Sequence, residues 1–244
     1  MFFQKLRNKK KSLHKKTILI SECVHYCGFP YGRGAFNPYE QYIYDIAKNS
    51  NSQRRRDEFI LFLRFYRPRN MDEALGVQSK RPMPLWLFPW NKAFSGDWEG
   101  VRAWLDDPDD VPDILTHFSK KGILEWRILE EFVWLERAFY SIRRHGYQPD
   151  RYGSFIRLLP LIRQDGECRY IVLDGNHRLC ALYALGEASC TAVLEMPIYA
   201  RDVLCWPCVA GGHCSAEDAI TLFYAYFNRS VAWRTTDIPA ALLY

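Results

Sequence analysis

The chain has 244 residues, 48% of them apolar and 16% aromatic, which excludes a disordered polymer and provides enough surface to bury one core, or one domain with a small subdomain. Its net charge of +5 is concentrated at one end: seven of the 33 Lys and Arg lie in residues 1–16, which hold no acid, leaving 26 bases against 28 acids in the rest. A body that close to neutral argues against a duplex-DNA reader. No apolar run reaches the length of a membrane span and no secretion signal opens the chain, so a cytoplasmic location is expected.

In chain order, the basic tail of residues 1–16 comes first. It reads as a frayed terminus, or as a peripheral contact with the inner face of a membrane in which Phe2, Phe3 and Leu6 would insert. Its apolar area is small, so its removal is expected to leave the fold intact. Residues 17–145 form a helical and irregular region. It opens on a short strand at 17–20 and continues into an ordered aromatic loop at 26–39, in which the rings pave the core. Asn37-Pro38 then precedes a helix over 39–48 with Tyr42, Ile43 and Ile46 on one face. Residues 49–57 read as a polar loop, 58–66 as a buried helix or strand, and 67–92 as irregular, with four prolines. A loop over 92–98, a short helix over 100–105, an acidic loop at 106–110 and a helix ending at Gly122 follow. The strongest periodicity spans 125–145, where Ile128, Leu129, Phe132, Leu135, Phe139 and Ile142 recur at helical spacing before Gly146.

The chemistry concentrates in residues 170–186, YIVLDGNHRLCALYALG. The apolar run Ile171, Val172, Leu173 predicts a buried strand that stops at Asp174-Gly175. Asn176, His177 and Arg178 then open a helix with Leu179, Leu182, Tyr183 and Leu185 on one side and Gly186 as its cap. A strand that turns through glycine into a helix leaves backbone N–H groups free at the helix start, where the dipole also favours an anion. His177 and Arg178 add donors there, and Asp174 adds a carboxylate that could take a proton or contact a metal.

Eight cysteines without a secretion signal argue against a disulfide framework. Cys168, Cys180 and Cys190 read as small core residues. Cys205, Cys208, His213 and Cys214 have the spacing of a Cys3His site for structural Zn2+, with a redox pair or loop filler as the alternatives. Cys23 and Cys27, with His25 between them, supply too few ligands to close a zinc site.

The order strand (155–163), turn (164–167), strand, DGNHR, helix, Gly186, strand (190–195) resembles the ParB/sulfiredoxin-like superfamily, closest to the DG-X-HR subgroup that includes the free-serine kinases. Gly96-Asp97-Trp98, His117-Phe118, Gly122, Trp126 and the long helix ending at Gly146-Tyr147 are similar to ParB-like proteins of surface-glycan gene clusters. The resemblance implies an α+β fold: a small mixed β-sheet core over 146–200, a long packing helix, an irregular aromatic-rich N-terminal half and a C-terminal extension, 201–244, packed on the core. It also implies that Gly175, Asn176, His177 and Arg178 bind the phosphates of ATP or another nucleotide, with Mg2+ sharing the charge. Asp174 and His177 would then be catalytic, and Glu131, or its neighbour Glu130, would complete the site from the long helix. The expected activity is that of a small-molecule kinase or nucleotide hydrolase with a hydroxyl-bearing acceptor; a non-catalytic nucleotide- or phosphosugar-binding regulator is the alternative, and a ParB-like DNA binder or nuclease the second. Two departures narrow the resemblance. Sulfiredoxins carry a catalytic cysteine where this chain has Asn176, and no helix-turn-helix is legible after Glu195.

Overall fold

The computed structural model describes residues 14–32, 37–48, 53–85, 87–96, 101–102 and 125–228. The expected helices over 100–105 and up to Gly122, the acidic loop at 106–110 and most of the basic tail lie wholly or mainly outside these residues.

Six strands and eight helices are described, among them the short α5 (Pro149–Tyr152) that precedes the sheet's hairpin, and the fold is mixed α+β. The sheet runs β1 (His14–Leu19), β5 (Ser189–Leu194), β3 (Ile156–Ile162), β4 (Cys168–Asp174) and β2 (Cys23–His25), with β6 (Ile198–Tyr199) pairing the far end of β3. β3 and β4 form an antiparallel hairpin, β1 lies antiparallel to β5, and β5, β6 and β2 join the hairpin in parallel. The two-residue alternation of β3 and β4 explains why the sheet is covered on both faces. Ile156, Leu158, Tyr170 and Val172 face one core cluster, and Leu159, Leu161 and Ile171 face the other.

The first face is covered by α1 (Pro38–Ala47), α2 (Gln53–Phe65), α4 (Glu125–His145) and α6 (Asn176–Ala184). Asn37 starts α1 as anticipated: its side chain accepts from the N–H groups of Tyr39 and Glu40, with Pro38 in the first helical position. α4 buries Ile128, Phe132, Leu135 and Phe139, at spacings of four, three and four. Each such burial is worth about 1.5–3 kcal/mol. Residues 58–65 of the expected helix or strand are helix, with Tyr66 just beyond its end. The polar stretch before them is not all loop, because α2 begins at Gln53, where Arg54 and Arg55 pair with Glu58 and Arg55 also with Asp45.

The second face carries α3 (Met71–Leu75), α7 (Pro207–Ala210) and α8 (Ala216–Asn228). Trp90, Trp206 and Phe223 form its aromatic centre. The described part of the extension, residues 201–228, thus packs through α7 and α8 against the back of the hairpin. The irregular 76–84 segment is held by two buried acids: Asp72 accepts from the N–H groups of Ser79 and Met83, and Asp218 from that of Lys80.

Two boundaries move. The first strand begins at His14, so Lys15 and Lys16 belong to the sheet, and Lys15 pairs with Asp150. The N-terminal region also contributes two strands, β1 and β2, to the sheet expected within 146–200. Among the described residues, no helix is long and apolar enough to cross a membrane.

Candidate functional site at the start of α6

β4 ends at Asp174, Gly175 makes the turn, and α6 starts at Asn176, as the sequence pattern predicts. Gly175 is required by both conformation and space. Its φ of +98° suits a residue without Cβ, and an added Cβ would lie 2.9 Å from Ile156 Cγ1 and 3.2 Å from Ile156 Cα. The first bond of the helix runs from Leu179 N–H to the Gly175 carbonyl, and no side chain caps the start. The Asn176, His177 and Arg178 N–H groups therefore precede the intrahelical ladder, at the positive end of the helix dipole.

Each side chain of the turn is held from a different part of the fold. Asn176 Oδ1 accepts a 2.6 Å bond from Tyr31 Oη, and burial pushes the Tyr31 phenol well above its ordinary pKa, keeping it a donor. Tyr31 belongs to the aromatic loop, whose next residue, Gly32, donates its N–H to both oxygens of the buried Glu40 at 2.9 and 3.1 Å. Burial raises the Glu40 carboxyl to about 8, although the Gly32 N–H works in the opposite direction.

His177 Nε2 lies 2.8 Å from Glu131 Oε2. Glu131 projects from α4, is 5% exposed, and has Arg127 one turn earlier with Nε 3.8 Å from its other oxygen. Arg127 stacks over Trp134 at 4.2 Å, and the rings of Tyr39 and Trp134 stand about 6 Å from that of His177 on centroid distance. A carboxylate oxygen accepts, so this contact orients the imidazole with Nε2 toward Glu131; in a neutral ring so bound, Nδ1 would be the proton acceptor. The α4 acid at the motif is therefore Glu131. Glu130 instead pairs with Arg127.

Arg178 departs from the expected geometry. Its Nη1 donates to the carbonyl and hydroxyl of Ser154, and its Nη2 donates to Asp174 Oδ2 at 3.1 Å. The guanidinium also lies behind Gly175, 3.1 Å from where a Cβ would stand. It braces the turn between the end of β4 and the segment before β3. Asp174 is half-exposed, and its carboxylate is shared with Arg178.

Mg2+ binds through one or two carboxylates together with phosphate oxygens and retained waters. Asp174 fits that role for an ion brought by a nucleotide. Among the described residues no group of three or more His, Cys, Asp or Glu is placed to hold a metal by itself. The proposed zinc ligands divide accordingly. Cys205 is exposed at the end of a 3₁₀ turn, His213 stacks on Phe94, and the Cys208 carbonyl accepts from the Cys214 N–H at 3.3 Å. Cys23 and Cys27 are buried, and His25 Nδ1 accepts from the Cys27 N–H.

A cavity of about 490 Å³ opens at the other end of α6, between Leu182, Leu185, Glu187, Ile142 and Tyr147, and does not adjoin the Gly175 turn. Tyr31, Tyr39, Ser154 and Trp134, which build the turn's surroundings, carry no local signal of that role. Tyr31 and Tyr39 stood only among the paving aromatics of the 26–39 loop. No protein-family model matches the chain, and no curated protein matches it.

Proposed function

We propose that this chain is a nucleotide-binding protein of ParB/sulfiredoxin-like architecture, acting as a phosphotransferase or nucleotide hydrolase on a small hydroxyl-bearing acceptor. The observation that carries this reading is the His177–Glu131 pair, 2.8 Å apart, standing on the first turn of a helix whose leading N–H groups are free of intrahelical bonds. Those N–H groups and the helix dipole would take the phosphate. Glu131 would orient His177, and Nδ1 would accept the hydroxyl proton as the new O–P bond forms and the nucleoside diphosphate leaves. Mg2+, carried in with the nucleotide, would supply charge neutralisation on the phosphates. Arg178 would fix the turn and lend it positive charge from behind.

The non-catalytic alternative draws on a specific feature. Asp174, the carboxylate nearest the turn, is tied to Arg178, and the cavity described above lies elsewhere. Phosphate release and transfer by wild type and Glu131→Gln, measured beside nucleotide binding by calorimetry, test the two readings. Loss of an oriented base should lower turnover by about 10²-fold or more with little change in affinity. Wild-type protein that binds a nucleotide without turning it over would transfer the proposal to the regulatory reading.

A further inference from the structure

The C-terminal cysteine cluster offers a chemistry that the nucleotide reading does not use. The sequence presents Cys205 and Cys208 as a Cys-X-X-Cys pair, yet the fold brings Cys208 to Cys214 instead. α7 begins at Pro207, ends at Ala210 with Gly211 as its cap, and the chain turns back through Gly212, so that the Cys208 carbonyl accepts from the N–H of His213 at 2.9 Å and from that of Cys214 at 3.3 Å. A carbonyl-to-amide bond of that length limits the two Cα atoms to about 7 Å apart or less, at the reach of a disulfide.

The two sulfurs stand in different surroundings. Cys208 is fully buried, and its backbone N–H is anchored to the Pro89 carbonyl at 3.0 Å. Cys214 is partly exposed. The Cys208 thiol donates toward Cys214, which holds the Cys214 pKa below the ordinary thiol value and raises that of Cys208. Burial and Asp218 act against this shift at Cys214, and Arg81 acts with it. A partly exposed cysteine held beside a buried one is the arrangement of an attacking and a resolving residue.

We propose that Cys208 and Cys214 form a thiol–disulfide exchange site whose co-substrate is a small disulfide such as oxidised glutathione. The Cys214 thiolate attacks one sulfur of the oxidant, forming a mixed disulfide and expelling one glutathione thiolate. Cys208 then loses its proton and attacks Cys214 Sγ, closing the intramolecular disulfide and expelling the second glutathione. Two protein thiols are oxidised, and one disulfide is reduced to two thiols. Cys205, although exposed, takes no part.

The test uses the full chain, reduced and then equilibrated with glutathione buffers of graded oxidation, followed by alkylation and peptide mapping without reductant. The expected product is a Cys208–Cys214 disulfide in wild type and in Cys205→Ser. Cys208→Ser should accumulate a stable glutathione adduct at Cys214, and Cys214→Ser should form neither. A Cys205–Cys208 disulfide, or wild type that keeps both thiols reduced in the most oxidising buffer, would overturn the proposal. The wild-type map decides the matter even if a serine variant fails to fold.

Discussion

Replacing Gly175 with alanine should be the most damaging single-methyl change in the motif. The backbone there has φ +98° and ψ 22°, and an L-residue held in the left-handed region costs roughly 1–2 kcal/mol. The new Cβ would also stand 2.9 Å from Ile156 Cγ1 and 3.2 Å from Ile156 Cα, and the second of these is backbone in the middle of the sheet. Overpacking against a partner that cannot rotate away adds about 1–3 kcal/mol, while the stiffer unfolded chain returns roughly 0.4–1 kcal/mol. The net loss is on the order of 1–4 kcal/mol, the upper part requiring the clash. Gly146→Ala supplies the control, because Gly146 has φ +72° with nothing within 4 Å of an added Cβ. Equilibrium urea unfolding of both variants, followed by tryptophan fluorescence, isolates the steric contribution. Gly175→Ala should be less stable than Gly146→Ala by about 1 kcal/mol or more. Equal losses would refute the close approach of β3 to the turn.

Other consequences follow from the same contacts. Glu40 has a folded-state pKa of about 8, raised by burial, so its contribution to stability is full below the unfolded value near 4.5 and declines as pH rises toward 8. Glu40→Gln, which keeps an acceptor for the Gly32 N–H, should flatten that decline and stabilise the protein at pH 8–9 by a few kcal/mol, read from unfolding curves across pH. Arg178→Ala should cost about 2 kcal/mol of folding stability in the same assay, because Ser154 and Asp174 lose a charged partner, as well as weakening nucleotide binding. Deleting residues 2–16 should lower Tm by about 5 °C or more, since the pairs of His14, Lys15 and Lys16 with Leu194, Val193 and Ala192 disappear with the tail; an unchanged Tm in calorimetry would show that the first half of β1 is dispensable.

The parts of this fold that were legible in the sequence are those set by local rules. The apolar run before Asp174, the glycine, and the periodicity after it define the β4–Gly175–α6 unit without reference to the rest of the chain. Asn37-Pro38 marks the start of α1, and the apolar spacing of α4 marks both of its ends. The sheet's outer strands were harder to read, because β2 and β6 are two or three residues long and exist through pairing with β4 and β3. Gln53–Asp57 reads as loop by composition, but its charges form ion pairs along a helix face. In the site, His177 and Glu131 lie 46 positions apart, and Tyr31 and Asn176 lie 145 apart. Placement in the chain suggested Glu131 or Glu130; only packing of α4 against α6 distinguishes them. The contacts of Arg178 with Ser154 and Asp174 are equally invisible in the motif. A guanidinium at a helix start can reach forward to a ligand or back to the preceding loop, and Ser154 lies in that loop. The cysteine spacing does not show that the turn after Pro207 brings the Cys214 N–H back to the Cys208 carbonyl.

The central claim is that a nucleotide's phosphates seat on the backbone at the start of α6. Amide chemical-shift mapping of isotopically labelled full-length protein, titrated with ATP, CTP and GTP in the presence of Mg2+, tests it most directly. The account predicts saturable shifts of the Asn176, His177 and Arg178 amides by one of these nucleotides, with smaller responses at Glu131 and Tyr31. Amides at 176–178 that stay in place up to millimolar nucleotide, or shifts confined to the cavity at the far end of α6, would contradict it.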